Sequence, residues 1–344
     1  MRRADVIVVG AGVMGAATAW RLAKAGRRPV ILEQFEVGHA HGSSHGSVRV
    51  FRFSYGDPMY VRMAMDALPL WRALERETGR EIMTALGQLD WGEPFIETNA
   101  AALRECGAET ELLDASQAME RYPVSISMEE RVLFHPAGGI VRAEDSVRSF
   151  LDAALAMGGE LHERTRVSEL RAGHDAVEVV TEGETYRAPV AVVTAGPWVK
   201  RLAATAGIEL PVIPSRETVS FFAHPEEMEL PILVQWGEPT LYGLPDPGRG
   251  IKIGAHHTGP DAVPDEGGEA DPAIVDMQAA WAAAHYPKAD PSPLRAETCM
   301  YTNTSDERFI LERRGRVVVG SACSGHGFKF APLIGERLAG LAQD

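Results

Sequence analysis

The stretch "ADVIVVGAGVMGAATAWRLAKAGRRPVILEQ", residues 4–34, decides the fold. Val6 to Val9 form a short β-branched apolar run of the kind that makes a buried parallel strand. Gly10, Gly12 and Gly15 follow in GxGxxG spacing, then a run of helix formers closed by Gly26. A second strand, Pro29 to Leu32, ends in Glu33. Each glycine has a physical reason: Gly10 for the tight turn, Gly12 for close approach of a pyrophosphate, Gly15 for helix–strand packing. The phosphates would lie on the positive end of the helix, and Glu33 stands where a carboxylate accepts hydrogen bonds from ribose hydroxyls. The stretch therefore predicts a dinucleotide site without separating NAD from FAD. A tight turn with no ligand would leave Glu33 unexplained.

Outward from this motif, 344 residues suit two domains, or one large domain with an insertion. The formal net charge of −14 disfavours a nucleic-acid or anionic-membrane partner, because either needs a basic face. Cys106, Cys299 and Cys323 are widely spaced and odd in number, which argues against a disulfide framework. No apolar run reaches membrane-spanning length, and the start lacks the pattern of a signal peptide. The expectation is a soluble cytoplasmic protein.

Strand and helix patterns then alternate, as in "DALPLWRALERETG", "AEDSVRSFLDAALAMGG" and "DPAIVDMQAAWAAAHYP" for helices. Residues 258–272 are rich in Pro, Gly and Asp and predict a surface loop. Three segments carry unusual chemistry. "GSSHGSVRVFRFSY" places His45, Arg49 and Arg52 among Val48, Val50, Phe51 and Phe53, so its arginines are partly buried and need anions. "GIKIGAHH" puts Lys252 and His256 on one face of a strand. "VVVGSACSGHGFKFAPLIGERLAGL" reads as a buried strand, a glycine-rich turn with His326 and Lys329, and a helix from about Pro332 whose positive end faces the strand ends. Neither His256-His257 nor His39/His41 has carboxylates or thiolates at usable spacing, so no metal site is expected.

End to end, the chain resembles the monomeric sarcosine oxidase and N-methyltryptophan oxidase family, flavoenzymes of the D-amino-acid-oxidase fold group. The resemblance rests on GxGxxG with Glu33, "SSHGSVRVFR", "TAGPW", "KIGAHH", "CMYTNTSDERFI" and "SGHGFKF" in this order. It implies an α/β fold, with a Rossmann-like FAD-binding domain and a mixed, mostly antiparallel β-sheet substrate domain. The expected division is 1–85, 136–212 and 300–344 for FAD, with 86–135 and 213–299 for the substrate.

The family's roles, carried over by motif, give FAD contacts at Gly10, Gly12, Gly15, Glu33, Ser43, Ser44, Val167, Ala195, Gly196, Trp198, Gly327, Phe328 and Lys329. Cys299 is implied to form a thioether to the flavin, with Cys323 as the rival position. Arg52 and Lys329 would hold a substrate carboxylate, with Gly325 and Tyr242 beside them. Lys252 would assist oxygen reduction, and His45, Arg49, His256 and Tyr301 would surround ring and substrate. The implied reaction is oxidation of a secondary amino acid to an imine, with O2 reduced to H2O2, by a monomer. The alternative is a flavin-dependent dehydrogenase or flavin-binding protein that uses another acceptor. Val48, Phe53, Leu241 and Glu217 differ from the family pattern around this site, where Thr, His, Tyr and an amide are expected. The chain also ends sooner after "GERLAGLAQD" than the family pattern leads one to expect.

Overall fold

The computed structural model describes residues 1–343. Val6–Val9 lies between the parallel strands Pro29–Leu32 and Ala191–Val193. It is buried along its whole length because both faces of this sheet are covered, with Val6 and Val8 in one core and Ile7 and Val9 in another. These form the centre of a six-stranded sheet in the order Glu160–His162, Pro29–Leu32, Val6–Val9, Ala191–Val193, Val317–Ser321, Ile310–Arg314. Only the last strand is antiparallel.

Three helices, Val13–Lys24, Ala143–Ala156 and Ala331–Gln343, pack on one face, bringing Trp20, Phe150 and Leu338 into one core. The other face is closed by a smaller sheet through Leu170, Val177, Val179 and Tyr186. The helix expected over "AEDSVRSFLDAALAMGG" begins at Ala143, with Glu144 and Asp145 in the first turn where the helix dipole favours them.

The second body is an eight-stranded sheet in the order Pro293–Asn303, Ile213–Phe222, Gly250–Ala255, Leu241–Asp246, Ile232–Gln235, Gln88–Trp91, Arg131–His135, Glu111–Asp114. All its pairings are antiparallel except Ile232–Gln235 with Gln88–Trp91. That parallel join stitches the 86–135 segment onto the 213–299 segment. The edge strand runs to Asn303, across the expected boundary at 299/300, so one continuous strand bridges the two bodies. Val48–Phe51, Gly139–Arg142 and Met83–Ala85 form a separate three-stranded sheet beside the seam. Among the described residues no helix is long and apolar enough to cross a membrane.

The first and last helices of the nucleotide-type body approach most closely at Gly335, where an added Cβ would lie 2.5 Å from the Ala17 carbonyl carbon. A methyl there must push the helices apart, and overpacking of this kind costs about 1–3 kcal/mol. Gly335→Ala should therefore lower the melting temperature by several degrees in scanning calorimetry. An unchanged value would mean that the helix pair slides freely.

Candidate functional site

A cavity of about 520 Å³ opens where the Val6–Val9 turn, the edge strand Pro293–Asn303 and the segment after Val317–Ser321 converge. Its floor is the glycine turn. Gly10 has φ +98°, and a Cβ there would lie 2.6 Å from the Thr194 carbonyl oxygen. Gly15 lies behind the cavity; its missing Cβ, which would sit 1.8 Å from the Gly10 carbonyl oxygen, lets helix and turn touch.

The helix Val13–Lys24 starts at Gly12 with no side-chain cap and no acidic residue in its first turn. Only the Val13 N–H is taken up, by Ser44 Oγ at 3.0 Å, so the positive end of the helix is available to an anion. Glu33, 4% exposed, accepts the Ala11 N–H at 2.8 Å and the Phe35 N–H at 3.0 Å. Burial opposes its ionisation, but the hydrogen bonds from His39, Ala11 and Phe35 outweigh it and hold the carboxyl below its usual range. Ser43, Ser44, Val167, Ala195, Gly196, Trp198, Gly327 and Phe328 line the same space.

Arg49 does not find the anion that its burial leads one to expect. Its guanidinium donates to the carbonyls of Ser43 (2.9 Å), His45 (2.6 Å) and Val48 (2.9 Å), and lies 5.6 Å from the Phe328 ring centroid. The edge strand sets Cys299, Met300, Tyr301 and Thr302 into the opposite wall. Burial pushes the Cys299 thiol up, with Arg49 and Lys252 pulling the other way. Cys323 is also raised by burial, and its Sγ lies 4.0 Å from Ser43 Oγ.

Lys252 comes from the middle of the eight-stranded sheet and is buried, its Nζ 3.4 Å from the Val48 carbonyl. Burial, reinforced by repulsion from Arg49, depresses it to about 7. His45 is brought down to about 4, first by burial and then by Arg49 and Lys252.

Beyond the cavity edge lies a second group. Arg52 donates to the Ser54 carbonyl and lies between two rings, 4.0 Å from the Tyr55 centroid and 4.8 Å from that of Trp236. Lys329 donates to Tyr55 Oη at 2.9 Å and to the His326 carbonyl at 2.7 Å. Burial lowers Lys329 strongly, and Arg52 lowers it further. Among the described residues, none of Arg49, Arg52, Lys252 and Lys329 forms an ion pair.

His256 and Tyr301 meet at Gly325, where an added Cβ would lie 2.5 Å and 2.3 Å from their rings. Tyr242 packs on Gly254 and is raised to about 12 by burial. The structure thus divides the expected residues between the cavity and an adjoining cationic cluster.

Several residues around the site take roles that their motifs did not assign to them. Thr194, just before Ala195-Gly196, donates Oγ1 to the Val9 carbonyl at 3.0 Å and locks the glycine turn. Arg52 is flanked by the nearby Tyr55 and by Trp236 and Asp90, which lie far from it in the chain. The sequence shows no carboxylate near His256-His257, yet the fold supplies Glu307. Ligand atoms of the three lie within 4.8 Å of one another, and His257 Nε2 lies 3.2 Å from Glu307 Oε1. That hydrogen bond raises His257, while burial pushes His256 well down.

Comparison with known proteins gives one consistent picture. The pattern of the DAO family, described as FAD dependent oxidoreductase, matches residues 5–341. Monomeric sarcosine oxidase of Bacillus sp. (strain B-0618) is 32% identical over 358 residues, covering 98% of this chain and 92% of that protein. N-methyl-L-tryptophan oxidase of Yersinia pestis is 31% identical, covering 99% and 95%. Among solved structures, the Tyr258Phe mutant of NikD, an amino acid oxidase essential for nikkomycin biosynthesis, superposes with TM-score 0.91 at 28% identity. It covers 99% of this chain and 94% of its own.

Proposed function

The chain belongs to the DAO family of FAD-dependent oxidoreductases, and from that premise we propose that it is an oxidase of secondary amino acids, of the sarcosine or N-methyl type. The residues present fit the cofactor. The cavity volume falls within the range of about 300–1,000 Å³ usual for ligand pockets. The uncapped helix start suits a pyrophosphate, and Glu33 suits ribose hydroxyls. When bound, the flavin supplies a two-electron acceptor that passes its electrons to O2.

The observation that carries the reading is the pair Arg52 and Lys329, two cations beside each other without an acidic partner. A substrate carboxylate would supply the missing negative charge and favour the protonated form of Lys329. Binding at that end orients the C–N bond of the substrate without touching it. Tyr242, His256, Tyr301 and Gly325 would shape the space for the amine, with burial keeping His256 neutral. The substrate loses two electrons and two protons to give an imine, which water hydrolyses, while O2 takes up two electrons and two protons to give H2O2. Lys252, under the strand of Val48, would offer its positive charge to reduced oxygen. The monomeric state in the names of relatives supports the same state here.

Cys299 is the proposed point of covalent attachment, since it lines the cavity wall between Arg49 and Lys252, which favour its thiolate. Acid precipitation of the native protein should carry the yellow colour into the pellet, and Cys299→Ser should release it to the supernatant. Release from the native protein, or retention in Cys299→Ser with release from Cys323→Ser, would refute Cys299.

Anaerobic titration with sarcosine, then N-methyl, cyclic and primary amino acids, tests the reaction itself. Secondary amino acids should bleach the flavin band, and air should restore it with peroxide formed. Lys252→Met should bleach normally but recover at least about a hundredfold more slowly, the scale of losing one preorganised charge. Bleaching without recovery in the native protein would assign another electron acceptor. No bleaching by any amino acid would overturn the proposal.

A further inference from the structure

Asp90 is fully buried, in the middle of the eight-stranded sheet, and forms no ion pair. Three neutral groups hold it. Gln88 Nε2 donates to both oxygens at 2.9 and 3.0 Å, Trp236 Nε1 donates to Oδ1 at 3.0 Å, and Ser54 bonds its side chain. Two of these partners also hold Arg52: the Ser54 carbonyl accepts from its guanidinium, and the Trp236 ring stacks on it. Asp90 is therefore joined to the guanidinium through two neighbours, but it is not its counterion.

We propose that Asp90 is a positioning residue that fixes Trp236 and Ser54 around Arg52 and takes up a proton when a carboxylate docks on that guanidinium. The inference rests on the reading of Arg52 as a carboxylate-binding residue. A docked carboxylate places a second negative charge near Asp90 and offsets the Arg52 charge that favours its ionised form, so it makes protonation of Asp90 easier.

The site can serve both protonation states. Gln88 Oε1 is buried without a hydrogen-bond partner. Turning the Gln88 amide would offer this oxygen as acceptor to a protonated Asp90, where Nε2 now donates to the carboxylate. Burial raises the Asp90 carboxyl to about 6, with Arg52 and the hydrogen bonds from Gln88, Ser54 and Trp236 opposing.

The other groups packed around it do not titrate in the same range. His135, on the adjoining strand Arg131–His135, is brought down to about 3 by burial and then by Arg52, and its Nε2 accepts the Phe53 N–H at 3.0 Å. Asn99, which donates to Ser54 Oγ at 3.2 Å, is neutral, as are Gln88 and Trp236. Two lysines are rival proton acceptors: Lys329, next to Arg52, which burial and Arg52 both depress, and Lys252, brought down to about 7 by burial and Arg49.

The sign follows from linkage. Below pH about 6 Asp90 is already protonated and a carboxylate binds at full strength. Above it, binding must take up a proton, so affinity falls by up to about tenfold per pH unit until Asp90 stays ionised in the complex.

The test is titration calorimetry of the flavin-loaded protein with propionate, which has no oxidisable C–N bond. Runs in two buffers of different ionisation enthalpy at each pH from 5 to 8 count the protons directly. The native protein should take up a fraction of a proton that grows above pH about 6, and Asp90→Asn should lose this uptake and the fall in affinity. Trp236→Phe, which removes one hydrogen bond to the carboxylate, should move the break to higher pH and gives a second handle if Asp90→Asn does not fold. Propionate binding lost in Arg52→Met, with uptake unchanged in Asp90→Asn, would overturn the Asp90 role alone and assign the proton to one of the two lysines. An unmoved break in Trp236→Phe would overturn it equally. Propionate binding that ignores Arg52→Met, or is absent in the native protein, would overturn the carboxylate-site reading and this inference with it.

Discussion

Four cationic side chains, Arg49, Arg52, Lys252 and Lys329, are gathered at the seam of the two sheets without an acidic partner in ion-pair range. Charges taken out of water need compensation, and here it comes from oriented carbonyls and ring faces rather than from carboxylates. Arg49 is held by three carbonyls and Arg52 by one carbonyl and two rings. The lysines respond differently because an ammonium can give up its proton: burial depresses both. The seam therefore presents fixed positive charge from arginine and adjustable charge from lysine. Such a site has its highest affinity for ligands that bring negative charge with them.

This charge is assembled by elements that have little in common except where they end. Arg49 and Arg52 lie on and just after the strand Val48–Phe51, whose partner is Gly139–Arg142. Lys252 sits in the Gly250–Ala255 strand, paired across to Phe221 and Leu244. Lys329 follows the turn after Val317–Ser321, and Trp71 Nε1 pins its carbonyl at 2.7 Å. The edge strand Pro293–Asn303 ties the two halves together, since it pairs with Ile213–Phe222 on one side while Met300 accepts from Ser43 in the nucleotide-type body. Displacing that strand would move Cys299 and Tyr301 together relative to the glycine turn.

The parts legible in sequence are those whose partners are close in the chain or carry a fixed pattern. Gly10, Gly12, Gly15 and Glu33 could be read because strand, turn, helix and strand are contiguous, and the observed turn has the required positive φ at Gly10. The cationic residues were legible as motifs, but their compensation was not. Nothing local links Arg52 to Trp236 or Asp90; only the parallel pairing of Gln88–Trp91 with Ile232–Gln235 brings them together. Glu307 reaches His257 for the same reason, across a separation that no spacing rule covers. The expected boundary at 299/300 falls inside the strand Pro293–Asn303, because the periodicity of "ETCMYTN" carries no local signal for where that strand passes from one body towards the other.

The four departures from the family pattern fall on both sides of the seam, and two of them can be explained. Phe53 stacks on His135 with centroids 5.2 Å apart, so an aromatic ring fills the place expected for an imidazole while a histidine is supplied from the strand Arg131–His135. Glu217, where an amide is expected, accepts from Thr258 and Gly259 N–H at 3.0 and 2.9 Å and from Ser215 Oγ at 2.6 Å. A carboxylate does this better than an amide because it only accepts, and all three partners are donors. It thereby anchors the turn that follows His256 and His257. The remaining two, Val48 and Leu241, make no polar contact that would explain them. Phe53 and His135 lie beside Arg52, and Glu217 holds the turn after His256. What is altered is thus the frame around the substrate-sized space, while the cations that would bind a carboxylate remain in place.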